Sequence, residues 1–280
     1  MQIVVWDTSA ISSLSKLADR EVLIAKMRAL HAHWIPRCVL DEIASTNSQE
    51  ERNRILAVCR ELIRGSGRIV LHPWDLITAG VLMYWEVGFV DWEVLLETRQ
   101  EVEEAMNSGT FDDDLAKAQY PELKQGLGAV EDWFDSQKPL FKTFKAKTNV
   151  AETVDDQVAF ARLKGVFLNN VLYCCCNIIG QQVDLSYAEK FAEAFHPIET
   201  FICAYFIGHL RRNEARTRKS QAGAIDLLGA VYLPLCDLFI SDDHNQQDVL
   251  RDVARCSSLR TDVLWFNGEY RKLFAAPPSP

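Results

Sequence analysis

Near the start of the chain four apolar residues in succession, Ile3 to Trp6 in "QIVVWDTSAISSL", give way to Asp7, to the hydroxyl pair Thr8-Ser9, and then to apolar residues at helical spacing. A short unbroken apolar run predicts a strand buried on both faces, and the change of period predicts a helix directly behind it. The alternation continues. "DREVLIAKMRALHA" places Val22, Leu23, Ala25, Met27 and Leu30 near helical spacing, with Asp19 as its N-cap. "HWIP" predicts a short strand stopped by Pro36, and "RCVLDEIAST" opens another helix. "EERNRILAVCRELIRGSG" is amphipathic and stops at Gly65 and Gly67. "RIVLHP" is a third strand, closed by Pro73. Strands and helices in turn predict an α/β fold with a mostly parallel central sheet flanked by helices.

From Trp74 to about Asn213 no stretch reads as a strand, and the segment predicts a large all-helical insertion over 74–214. "DWEVLLETRQEVEEAMNSG" is an amphipathic helix with a glycine stop, and "DLSYAEKFAEAFHPIETFICAYFIGHLRRN" reads as two helices split at Pro197. "FDDD" at 111–114 reads as a solvated acidic loop or helix start. The strand signal then returns. "AGAIDLLGAVYLPL" predicts one apolar helix interrupted by Asp226, "CDLFIS" a strand running into "SDDHNQ", "QQDVLRDVARC" a helix and "TDVLWF" a last strand. The expected organisation is a discontinuous α/β domain over 1–73 and 215–270, the insertion between its halves, and a flexible tail over 271–280.

The acids fall at telling places. Asp7 ends the first strand, Glu42 lies one turn into the helix after the second, Asp226 interrupts an apolar helix, and Asp242 and Asp243 follow "LFIS". Ligands of an open parallel sheet bind at the carboxyl ends of its strands. Carboxylates gathered there repel one another unless a hard divalent cation neutralises them. A Mg2+ or Mn2+ site built from Asp7, Glu42, Asp226 and Asp243 is therefore expected. The dipeptides Asp41-Glu42 and Asp242-Asp243 leave the register open by one residue, and the spacing Ser241-x-Asp243 favours the second acid of the latter pair. Each acid also has a plainer role: Asp7 caps the following helix, Asp226 answers a helix dipole, Glu42 is a surface acid, and Asp242 or Asp243 closes a turn.

The stretches "VVWDTSA", "PRCVLDEIA", "AIDLLGAVYL" and "LFISDD", in this order, resemble the PIN-domain nucleases. The resemblance covers residues 1 to about 73 and about 215 to 267. It implies a PIN-like fold in which Asp7, Glu42, Asp226 and Asp243 are catalytic and metal-binding, with Asp242 the alternative ligand and Thr8, Ser9 and Ser241 in support. It also implies a metal-dependent endoribonuclease acting on RNA, commonly single-stranded, through a metal-activated water. The alternative is a PIN-like module that binds RNA or protein without cutting it. A phosphatase with Asp7 as covalent nucleophile is disfavoured, because Ser9 stands where such enzymes carry a second acid. The absence of G-x-G-x-x-G and P-loop patterns argues against nucleotide cofactors.

Composition narrows the setting. The 280 residues are 48% hydrophobic and 25% charged, as in an ordinary soluble protein, and no run approaches the roughly 18–20 apolar residues of a membrane span. No signal peptide is visible, so a cytoplasmic protein without membrane partners is expected. The eight cysteines include no C-x-x-C pair, and Cys174, Cys175 and Cys176 point about 100° apart on a helix, so free thiols are expected. A net charge of −9 excludes a basic nucleic-acid coat but not an enzyme with local positive charge. Two basic stretches could supply it. "RRNEARTRKS" brings Arg211, Arg212, Arg216, Arg218 and Lys219 just ahead of Asp226. "KPLFKTFKAK" sets four lysines around Phe141 and Phe144, a mixture that also reads as a packed helix face. A homo-oligomer, an inhibitor or an antitoxin remains compatible with the chain, but no residue points to one, and the chain is about twice the length of the small toxin members of the family. His31 and His33 read as structural and His244 as solvated.

Overall fold

The computed structural model describes residues 1–96, 132, 135–148, 153–214 and 224–274. Five strands, β1 (Gln2–Trp6), β2 (His31–Pro36), β3 (Arg68–Val70), β4 (Leu238–Ser241) and β5 (Asp262–Trp265), form one all-parallel sheet in the order β3-β2-β1-β4-β5. The fold is α/β. From β1 the chain builds outward through β2 and β3, then returns to the other side of β1 for β4 and β5. The loops leaving β1 and β4 therefore diverge, and a crevice opens between them.

Period-two alternation assigns each face of the sheet. Val5, Trp34, Val70, Phe239 and Val263 enter one core, while Val4, Trp6, Ile35, Ile69, Leu238 and Ile240 enter the other. The second core is closed by α1 (Thr8–Ser15), α2 (Arg20–Leu30), α3 (Arg37–Ala44) and α4 (Gln49–Ile63). The first is closed by α5 (Pro73–Val87), the short α6 (Trp92–Leu95), α7 (Lys138–Thr148), α8 (Val154–Leu163), α9 (Val166–Ile179), α10 (Leu185–Ala194) and α11 (His196–Glu214). With them pack α12 (Ala224–Leu228), a 3-10 helix (Gly229–Leu235) and α13 (His244–Cys256). The described helices within 74–214 thus share one apolar core with the sheet. Among the described residues no helix is long and apolar enough to cross a membrane, and all eight cysteines are free.

Several elements differ from the pattern-based expectation. The strand expected over "HWIP" begins at His31, so His31 and His33 lie inside β2, with His31 Nδ1 2.8 Å from the Tyr270 hydroxyl. Asp19 stands at the α2 N-cap without a side-chain cap bond. The break expected at Pro197 falls at Phe195, and Pro197 sits in the first turn of α11, where its missing N–H costs nothing. "AIDLLGAVYLPL" is a one-turn α-helix followed by a 3-10 helix. Pro234 cannot donate within that helix, and Gly229 lies so close to the Phe239 ring that a Cβ would sit 2.9 Å from it. Residues 271–274, expected to begin a flexible tail, are helical. A 3-10 helix over Tyr270–Phe274 buries Tyr270 and Phe274 against His31 and Trp6, because two aromatics there complete the second core. Residues 275–280, "FDDD" and most of the helix expected over "DWEVLLETRQEVEEAMNSG" lie outside the described residues.

Buried His33 gives this core a pH signature. Trp6 Nε1 donates to His33 Nδ1 at 3.0 Å, and burial pushes the imidazole down to about 4. Protonating Nδ1 would destroy that bond. The unfolded chain, with its histidine near 6.5, binds the extra proton first, so stability is present above about 6.5 and is lost as pH falls toward 4. Melting curves between pH 7 and pH 4.5 should show this loss, up to about 3 kcal/mol at 1.36 kcal/mol per pH unit. His33→Gln, which keeps an acceptor for Trp6 but does not titrate, should flatten it; an unchanged slope would assign the effect elsewhere.

Candidate active site

Asp7 follows the last residue of the central strand and is the N-cap of α1, its Oδ2 accepting from Ser9 N at 3.0 Å. The same oxygen accepts from the Ser9 hydroxyl at 2.5 Å and the Ser241 hydroxyl at 3.4 Å. Ser9 Oγ in turn accepts from Asp242 N at 2.8 Å, and Ser241 Oγ from Asp243 N at 3.0 Å. Thr8, Ser9 and Ser241 are thus built around the acids. The two serines tie the start of α1 to the end of β4 and aim the Asp7 carboxylate across the crevice.

Glu42 reaches the same place from α3, where it accepts a hydrogen bond from the Thr8 hydroxyl. Burial pushes the Glu42 carboxyl up to about 7; the Thr8 bond pulls it back, and the neighbouring Asp7 charge adds to the rise. Asp226, on α12, is the third acid. Asp7, Glu42 and Asp226 line one small cavity of about 20 Å³, floored by Trp6, Phe239 and Tyr232. The volume admits a single water or ion. Gln246, in the first turn of α13 and 2% exposed, spans the acids: its Nε2 donates to Asp7 Oδ1 at 3.2 Å and to the Asp226 carbonyl at 3.1 Å. Its Oε1 is buried with no hydrogen-bond partner.

The two acids after β4 take other positions. Asp243 caps α13, its Oδ1 accepting from Asn245 N at 2.7 Å and Gln246 N at 3.2 Å, and so sets the helix that carries Gln246. Asp242 turns the other way. Its Oδ2 accepts from the Ser13 hydroxyl at 2.5 Å and Asn267 Nδ2 at 2.6 Å, clamping α1 to the loop after β5. Neither lines the cavity.

Set against protein-family models, curated proteins and solved structures, the chain matches none. The site must therefore be judged on its own chemistry. Hard carboxylate oxygens around an ion-sized cavity, together with an unpartnered buried amide oxygen, suit Mg2+ or Mn2+. Among the described residues, however, no three His, Cys, Asp or Glu side chains stand close enough together to grip an ion. Mg2+ ordinarily keeps several waters and uses one or two carboxylates, so the donor set fits a partly hydrated ion better than a fully caged one.

Of the expected basic stretch only Arg211 has a described side chain; that of Arg212, and Arg216, Arg218 and Lys219 altogether, lie outside the described residues. Arg211 Nε donates to Asp252 Oδ2 at 2.7 Å, and a second guanidinium nitrogen joins it. Asp252, 5% exposed, also accepts from Arg255 at 2.8 Å. Arg211 therefore staples α11 to α13, and Arg211→Ala should lower stability by about 1–3 kcal/mol by stripping a buried carboxylate of one partner. A denaturant titration checks this, and an unchanged midpoint would return Arg211 to the surface. In the other basic stretch the phenylalanines turn inward, Phe141 stacking on His209 at 4.1 Å and Phe144 packing on Phe206.

Gln246 is the residue that pattern reading passed over. Its one sequence signal is its place three residues after a capping Asp at the end of a sheet strand, in the first turn of the helix that faces the crevice.

Proposed function

We propose that this chain is a PIN-like, metal-dependent endoribonuclease, with Asp7, Glu42 and Asp226 as the acids that would face a partly hydrated Mg2+ or Mn2+. One observation carries the reading: three carboxylates from three distant segments line one ion-sized cavity at the point where the strand order reverses. A bound Mg2+ or Mn2+ would supply an acidified water and neutralise charge on a phosphodiester. The chain's own residues do the rest. Ser9, Ser241 and Gln246 fix the Asp7 carboxylate, and Thr8 orients Glu42. The cavity is too small for a nucleotide, so the strand would lie outside it, with a phosphate at its mouth. Single-stranded RNA is the expected partner, because a strand free of a duplex can present its backbone to so narrow an opening.

A second reading, an RNA- or protein-binding module that does not cut, is favoured by the lack of a closed ligand trio among the described residues. Calorimetric titration of Mn2+ into the metal-free protein separates the two. The nuclease reading expects binding in the parent chain and its loss in both Asp7→Asn and Asp226→Asn, each checked for folding by circular dichroism. No binding up to about 1 mM, a ceiling of roughly −4 kcal/mol, would shift the conclusion to the second reading.

A further inference from the structure

Far along the chain from the acids, a second cavity of about 460 Å³ opens between α9 and α11, closed by α7 and the start of α5. Its α11 wall is Phe201, Tyr205 and Phe206, and its other rings include Phe141, Phe144 and Trp74. Phe206 lies at the centre of a ring cluster, with Phe141, Phe144 and Phe167 centroids 5.2–5.5 Å away. The α9 wall is of another kind. Asn170, Tyr173, Cys174 and Asn177 follow at i, i+3, i+4 and i+7, one stripe of a helix facing the cleft. The neighbouring stripe of the same helix, Phe167, Val171 and Cys175, is buried and apolar. Asn170, Tyr173 and Asn177 are exposed, so their polar groups are open to a guest. Among the described residues the Asn177 side chain has no hydrogen-bond partner, and Gln137 adds a third amide.

We propose that this cleft binds a neutral, flat heteroaromatic group of nucleobase type. The volume is that of a small-molecule site. Among the described residues no charged side chain lines it, so a charged ligand would meet no counter-charge from them, and a phosphate would stay outside. Ring faces favour a planar guest through stacking. Asn170 Nδ2 donates to the Val166 carbonyl at 2.8 Å and Gln137 Nε2 to the Ser136 hydroxyl at 3.0 Å. Their amide oxygens and the Asn177 amide are left to disfavour a plain hydrocarbon, which would bury them unpaired, and to meet the donors and acceptors on a base edge. A free nucleoside and an unstacked base of single-stranded RNA share this chemistry. The proposal stands on the cleft alone and does not rest on the carboxylate reading.

The test titrates adenosine, guanosine, cytidine and uridine into the full chain, followed by calorimetry and tryptophan emission, with the neutral apolar dye Nile red as comparison. At least one nucleoside should bind. Asn177→Leu, at an exposed position, should weaken it about tenfold with an unchanged melting temperature, as expected for one lost hydrogen bond. Trp74→Phe should remove the change in emission while binding persists. A short oligoribonucleotide that binds tighter than any nucleoside, and loses that advantage in Asn177→Leu, would assign the cleft to RNA; equal affinity would assign it to the free nucleoside. Failure of every nucleoside and the oligomer up to about 10 mM, binding of the dye alone, or affinity indifferent to Asn177→Leu would each overturn the proposal. Loss of Mn2+ binding at the acids would leave it untouched.

Discussion

Replacing Trp6 by alanine should destabilise the protein by about 3–5 kcal/mol, the range for deleting a large aromatic from a packed core, and lower its melting temperature by about 10 °C. Trp6 is fully buried on the sheet face that carries α1 to α4. Its ring meets Tyr270 edge-on at 5.6 Å and lies 5.8 Å from His33 and 5.9 Å from Phe266. It also holds the one donor that satisfies His33 Nδ1. Alanine would leave a cavity between β1 and the C-terminal 3-10 helix and strand a buried acceptor. Trp6→Phe separates the two contributions: it keeps much of the ring and loses only the hydrogen bond, so its cost should be less than half. Denaturant melts of the two variants beside the parent check this, and equal costs would show that the bond, not the packing, dominates.

Trp6 also shows how much could be read from the sequence. The run Ile3 to Trp6 was legible as a central strand because a strand covered on both faces has no polar positions to confuse its period. The place of the acid behind it, at the crevice, was legible because the carboxyl ends of the strands in an open parallel sheet border one. What the two neighbouring acids after β4 do was not legible, because "SDDHNQ" suits a ligand, a cap or a clamp equally well. Only Asn267 and Ser13, brought in from distant segments, commit Asp242 to a clamp. Gln246 could not be found for a similar reason: its role exists only once β4 pairs with β1 and sets α13 over Asp7. The aromatic cleft hid in a different way. Phe201, Tyr205 and Phe206 have the spacing of core residues, and nothing local tells a ring that fills a core from one that lines a cavity.

Asp7→Asn should abolish any RNA cleavage, by at least about 100-fold, the loss expected on removing one preorganised charge-handling group. It should do so while the protein stays folded. Asparagine caps a helix as well as aspartate and can still accept from Ser9 N. One of the donors now aimed at the carboxylate, from Ser9, Ser241 or Gln246, would face an amide N–H instead, at a cost of about 1 kcal/mol. Asp242→Asn makes the converse prediction. Its carboxylate serves Ser13 and Asn267 and does not line the cavity, so this variant should melt lower yet cut at close to the parent rate. Single-stranded RNA oligomers incubated with Mn2+, read beside thermal melts of both variants, test the pair together. Cleavage surviving in Asp7→Asn would remove the central acid from the chemistry. Cleavage lost in Asp242→Asn without loss of fold would instead move the working site outward, toward the loop that Asn267 holds.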